Sequence, residues 1–249
     1  MPLLQGKVSR AHPGFSADAA AVEARLSRRK ELIVAALGPS RFGSLEEAAY
    51  VASTHQTPAT AVAHAVTAAF SATAALLIIR NRSTTALSAG GKCFIPDFIR
   101  LMMTVIPASA VSARFALATD RAERYASGGT QFGFLPTNPG GSAPALTDLD
   151  MFFGAVVASA AGGNTRYVAQ GYMRSVIPVV LDQWVFEFDG GDAGNAQDTA
   201  GSTAKIVSVR CPPIILEPNQ NDRLILHQWY PSNATTPAQF EFTVGGWWL

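Results

Sequence analysis

The chain has 249 residues and a mass of 26.2 kDa, with 19 Lys and Arg against 18 Asp and Glu, a net charge of +1. A chain this long buries about 70% of its extended surface without help from metals or disulfides, and its near-neutral balance argues against a generally basic nucleic-acid binder and against an acidic disordered chain. Two cysteines, Cys93 and Cys211, exclude a disulfide-rich scaffold, and the absence of an unbroken run of about eighteen apolar residues argues against a membrane-spanning helix.

The first 43 residues stand apart. They hold seven basic and three acidic residues, a local charge of +4, and no apolar leader core follows Lys7 and Arg10. Residues 2–15 read as an extended arm. Residues 16–37 read as an amphipathic helix: Ser16 suits the N-cap, Asp18 sits in the first turn, and Val22, Leu26, Ile33 and Leu37 share a stripe. Gly38-Pro39 ends it. Such an arm either anchors a neighbour or packs on its own domain. Ser44 and Glu47 have capping-box spacing, which predicts a short helix over 45–51.

From residue 59 the pattern turns to strands. Val62, His64, Val66, Ala68 and Phe70 alternate with small residues, and 74–80 is a short apolar run suited to a buried strand. Residues 81–91 read as a polar loop. Residues 92–107 are apolar again, with Pro96 predicting a bend or an edge. A strand follows over 112–119. Residues 121–141, rich in Gly, Ser, Thr and Pro, read as a long functional or interfacial loop. Strands are predicted over 149–160, 165–180, 184–188, 204–216, 223–230 and 239–249. Between them lie turns at 162–164 and 218–222 and loops at 189–202 and 231–237. In the last two strands Leu224, Leu226 and Gln228 oppose Ile225, His227 and Trp229, and Phe240, Phe242 and Val244 share a face. The fold class expected is mainly β: an antiparallel β-sandwich or jelly roll (53–249) preceded by an N-terminal arm and one amphipathic helix (1–52).

Chemistry-bearing residues form no recognisable constellation. The four histidines, His12, His55, His64 and His227, show no metal spacing with either cysteine. Cys93 and Cys211 read as buried small hydrophobes, with a disulfide not readable from spacing. Asp189, Asp192, Asn195 and Asp198 offer oxygen ligands but fit no calcium loop and read as a solvated turn. Asp148 with Asp150, and Glu187 with Asp189, would share strand faces, a weak basis for glycoside hydrolysis. Trp247 and Trp248, with Trp229 and Tyr230, either stack sugars or pack in a core. Arg28, Arg29 and Lys30 read as a solvated helix face. No catalytic, cofactor-binding or metal-binding residue is therefore assigned, no cofactor is expected, and the chain is read as not an enzyme.

Only 15% of the residues are charged, against about a quarter in an ordinary soluble chain. The plainest account is that other subunits cover part of the surface. An alanine-rich composition, which raises the apolar count without adding adhesive area, is the other account.

Four regions carry a resemblance. They are Gly90-Gly-Lys-Cys-Phe-Ile-Pro-Asp-Phe-Ile-Arg-Leu101; Arg124-Tyr-Ala-Ser-Gly-Gly-Thr130; Gly171-Tyr-Met-Arg-Ser-Val-Ile-Pro178; and Pro212-Pro-Ile-Ile-Leu-Glu-Pro-Asn-Gln220, which leads to Leu224-Ile-Leu-His-Gln-Trp229 and Phe240-Glu-Phe-Thr-Val-Gly-Gly-Trp-Trp248. Together they resemble a loose group of bacteriophage and prophage virion structural proteins across residues 60–249. The resemblance implies a β-sandwich particle component assembled in the bacterial host cytoplasm. Its implied partners are itself, as a homo-oligomer such as a trimer, and other virion proteins such as the major capsid protein, with no membrane or nucleic acid. The role expected first is a capsid decoration or cement protein. A fibre, spike or collar component binding a glycan through the loops at 121–141 and 189–202, and a jelly-roll major capsid protein, are the alternatives.

Overall fold

The computed structural model describes residues 5–7, 21–23, 49–53, 60–62, 67–106, 111–137, 140–175, 179–188, 206–231 and 238–249; at 5–7, 21–23, 49–53, 111 and 173–175 only the backbone is described. Its strands are β1 (Gln5–Lys7), β2 (Ala21–Glu23), β3 (Ala49–Ser53), β4 (Ala74–Asn81), β5 (Phe94–Val105), β6 (Val111–Asp120) and β7 (Tyr125–Phe132). They continue with β8 (Leu135–Pro136), β9 (Leu149–Ala158), β10 (Arg166–Ser175), β11 (Gln183–Glu187), β12 (Ile206–Arg210), β13 (Arg223–Trp229) and β14 (Gln239–Trp248). The protein is mainly β. Strands β1 and β2 form a pair of their own, sheet one runs β10-β6-β13-β4-β9-β7, and sheet two runs β12-β11-β5-β14-β3-β8.

The chain crosses repeatedly between the sheets: β3 and β5 lie in sheet two, β4 and β6 in sheet one. The late strands then insert between these early ones. β13 lies between β4 and β6, and β14 between β3 and β5. Among the described pairings only β11 with β12 is parallel.

Period-2 alternation builds one core shared by both sheets. Leu77 and Ile79 of β4, Phe115 and Leu117 of β6, Met151 and Phe153 of β9, and Leu224 and Leu226 of β13 point inward from sheet one. Sheet two contributes Ile99, Leu101 and Met103, Trp184 and Phe186, and Phe240, Phe242 and Val244. Phe115 meets Trp184 with ring centroids 5.6 Å apart, and Phe153 meets Phe242 at 4.2 Å. Fully burying one such side chain is worth roughly 1.5–3 kcal/mol. Gly245 and Gly246 let β14 approach β5: a Cβ on Gly245 would lie 2.5 Å from the Phe98 ring, and one on Gly246 2.6 Å from the Ile95 carbonyl oxygen.

Pro96 sits within β5, paired with Gly246 of β14, whereas pairing with β11 begins only at Phe98. Its missing N–H thus faces no ladder, which is how the strand tolerates it. Three sequence expectations need correction. The helix expected over 45–51 is strand β3 where described, held by β14, and this strand crosses the boundary expected at 52/53. The strand expected from 62 to 70 reduces, among described residues, to a single bridge from Val62 to Phe240 and an irregular stretch from 67. The loop expected over 121–141 contains β7 and β8, one at an edge of each sheet. The helix expected over 16–37 lies outside the described residues except at Ala21–Glu23, which pair as strand with Gln5–Lys7.

Candidate functional site

The alternation that buries one face of sheet one turns the other face outward, and register aligns its side chains in rows. At one end of that outer face, Asp120, Arg223, Arg80 and Asp150 are neighbours across β6, β13, β4 and β9. All four are buried. Arg80 Nε donates to Asp150 Oδ1 at 2.8 Å, and its guanidinium lies 4.8 Å from the Tyr125 ring centroid and 4.7 Å from that of Phe152. Tyr125 and Phe152 stack at 3.9 Å. Glu123 bridges the two adjacent arginines, accepting from Arg223 Nη2 at 2.8 Å and lying 3.6 Å from Arg80 Nη1. Gln131 Nε2 donates to Asp150 Oδ2 at 2.8 Å.

Arg124, 1% exposed, extends this row. It donates to Asp120 Oδ2 (2.7 Å), the Ser159 carbonyl (2.9 Å), Thr165 Oγ1 (3.0 Å) and the Ala72 carbonyl (2.9 Å). One side chain thereby ties the segment before β4 and the β9–β10 connection to β6. Burial alone would raise the Asp120 carboxyl pKa, but hydrogen bonds from Thr165, Arg124 and the Ala122 N–H outweigh it and hold the carboxyl below its ordinary range. Glu123 is likewise lowered, burial being outweighed by Arg223, the Tyr125 N–H and Arg80. These charges answer one another: the row is a clamp, and Asp150 and Tyr125 belong to it.

The other end of the same face is open. Tyr172 of β10, Arg114 of β6 and Trp229 of β13 stand at one register level, with Gln170, Ala116 and His227 at the next. A groove of about 270 Å³ runs among Arg114, Phe115, Gln170, Gly171, Tyr172 and Trp229. Phe70 overhangs its β13 side, edge-on to Trp229 at 5.3 Å, Tyr167 at 5.7 Å and His227 at 5.4 Å. Tyr172 is 63% exposed, Tyr167 44% and Phe70 42%. The side chains of Arg114, Gln170 and Tyr172 make no hydrogen bond or ion pair with another described residue. Beneath Phe70, His227 Nδ1 bonds the Ala74 carbonyl at 2.8 Å and burial lowers its pKa, so the ring is held neutral.

A larger hollow, about 710 Å³, lies between β10 and the 211–222 segment. Its Arg121 is already paired with Glu217 (3.3 Å) and Asp222 (3.2 Å). Burial raises the Asp222 pKa, outweighing the Glu217 N–H and Arg121, which lower it.

Other residues singled out in the sequence are dispersed. Asp148 precedes β9 and Asp150 is locked to Arg80, so the two form no working pair. Glu187 is half-buried on β11, while Asp189, Asp192, Asn195 and Asp198 lie outside the described residues, as do Arg28, Arg29, Lys30, His12, His55 and His64. Trp248 and Tyr230 are core residues; Trp247 is half-buried on β14. Cys93 and Cys211 are free and buried, and burial, with Glu187 adding, pushes the Cys211 thiol up to about 12. No cluster of metal-ligating side chains occurs among the described residues. The groove escaped the linear reading because its members come from three strands. The usable signal was the alternation that places Trp229 with His227 and Ile225, opposite the core-facing Leu224 and Leu226. Comparison with known proteins finds no matching family model and no matching curated protein.

Proposed function

We propose that the chain is a structural component of a bacteriophage virion, a capsid decoration or cement protein that associates with itself and with the shell through a β-sandwich body of jelly-roll type. The interleaving of late strands between early ones supports the jelly-roll reading. The resembling stretches fall on framework positions: the turn into β5, the Arg124 clamp and β7, the β10 edge, and the β14 glycines. The anchoring role of residues 1–43 belongs to the same proposal.

One observation carries the adhesive reading. At one end of sheet two, Val105 (43% exposed), Ile106 (48%), Val180 (45%) and Leu181 (49%) are exposed aliphatic residues on two adjoining segments. The two segments are joined where the Leu181 N–H donates to the Met103 carbonyl at 2.8 Å. Leu181 holds φ = +77°, a left-handed conformation that costs a leucine about 1–2 kcal/mol. A branched apolar side chain kept in strained backbone and turned outward fits a surface used for contact. The test pairs Leu181→Asp with deletion of residues 1–43 and measures oligomeric state and incorporation into particles. Reduced self-association and reduced incorporation are expected; unchanged incorporation of both variants rejects the role.

The fibre, spike or collar reading draws on a different observation, the open groove of sheet one.

A further inference from the structure

We propose that the groove bounded by Tyr172, Arg114, Gln170 and Trp229 is a binding site for a saccharide that carries a carboxylate. The inference deepens the fibre, spike or collar reading and does not depend on the exposed aliphatic residues around Leu181.

The walls supply the first reason. Pyranose rings present apolar C–H faces, and aromatic side chains with a polar edge are the usual platforms for amphipathic surfaces of this kind. Here Trp229 and Tyr172 flank the groove, and Phe70 braces the Trp229 ring edge-on. That bracing lets a half-buried Trp hold one orientation, so little side-chain entropy is lost when a ring stacks on it.

Charge supplies the second reason. Every arginine of the clamp at the far end of this face has a carboxylate within reach: Arg80 has Asp150, Arg124 has Asp120, and Arg223 has Glu123. Arg114, between the two aromatic walls, has none among the described residues. A guanidinium presents a planar fork matched to a carboxylate. Gln170, also unpaired and one register level away, adds an amide donor and acceptor for sugar hydroxyls. Phe115 and Gly171 complete the lining, and Gly171 adds no side chain to fill it. The volume of about 270 Å³ lies at the small end of ligand sites, which suits one or two sugar rings rather than a long chain.

The test uses the purified full chain and isothermal titration. The acidic probes are tetragalacturonate and sialyllactose; the neutral controls are a galactose tetrasaccharide and lactose. At least one acidic probe is expected to bind, in preference to its neutral control. Tyr172→Ala, a change at an exposed side chain that leaves the core intact, is expected to weaken binding about tenfold, the effect of losing one stacking face. Arg114→Gln is expected to abolish the preference for the acid while leaving the residual neutral affinity. Failure of both acidic probes to bind overturns the proposal, as does binding unaffected by Tyr172→Ala. An acid preference that survives Arg114→Gln overturns the carboxylate assignment. Unchanged particle incorporation of Leu181→Asp and of the 1–43 deletion, with intact saccharide binding, would strike the decoration role alone, so the two proposals fail separately.

Discussion

The two ends of the outer face of sheet one share strands β6 and β13 and differ in what their polar groups do. At the β4–β9 end, Asp120, Arg223, Arg80, Asp150, Glu123 and Arg124 are buried or bridged, and their charges answer one another. At the β10 end, Arg114 and Gln170 stand exposed among aromatic rings with no partner among the described residues. The contrast separates charges that hold a fold from charges left available to something else. Buried pairs are costly to break because the survivor stays desolvated, whereas exposed groups are free to change at little structural expense.

Substitutions at the closed end should produce the largest effects. Arg124→Ala strands Asp120 and releases three further oxygen partners, and should cost about 3–5 kcal/mol in urea unfolding. A loss under 1 kcal/mol would mean that the clamp is not closed. The neighbouring edge comes next. Gly128 holds φ = +75°, and a Cβ there would lie 2.3 Å from the Ala155 carbonyl oxygen. Gly128→Ala should cost about 1–3 kcal/mol and lower the melting temperature.

The same row predicts an acid limb. Asp120 and Glu123 have lowered pKa values in the fold, so their stabilisation is present above the unfolded carboxyl range and is lost as pH falls through the lowered values. Asp222, raised, works in the opposite sense and partly offsets this. His227 is lowered as well, so stability should already begin to fall below about pH 6.5. Melting curves from pH 8 to 3 should show both phases, and His227→Phe should remove the first.

Relieving the strained backbone at Leu181 should raise stability by about 1 kcal/mol at most in Leu181→Gly, read by the urea midpoint. At the open end, Tyr172→Ala and Arg114→Gln should shift the melting midpoint least, within about 0.5 kcal/mol. A large loss at either position would erase the distinction between the two ends.

Much of the strand set was legible because its alternation is strong. The phase of β13 and the Phe240, Phe242 and Val244 face of β14 follow directly from residue order. β7 was not legible: it is an exposed edge strand whose Gly128 and Gly129 break both pairing and pattern, so its composition reads as loop. β3 was misread through Ser44 and Glu47, a local helix-start pattern outweighed by pairing with β14. Neither end of the outer face was legible, since Arg80 meets Asp150 and Tyr172 meets Arg114 only through cross-strand register, across tens of residues.

The placement of β13 and β14 has a consequence for how the chain is made. Each fills the middle of a sheet whose flanking strands were synthesised much earlier. Neither sheet can zip up until residues 223–248 have left the ribosome, so the nascent chain must wait with two open slots and exposed strand edges. Closure by such distant partners is slow, and a chain shortened by its last few dozen residues would lack the keystone of both layers at once.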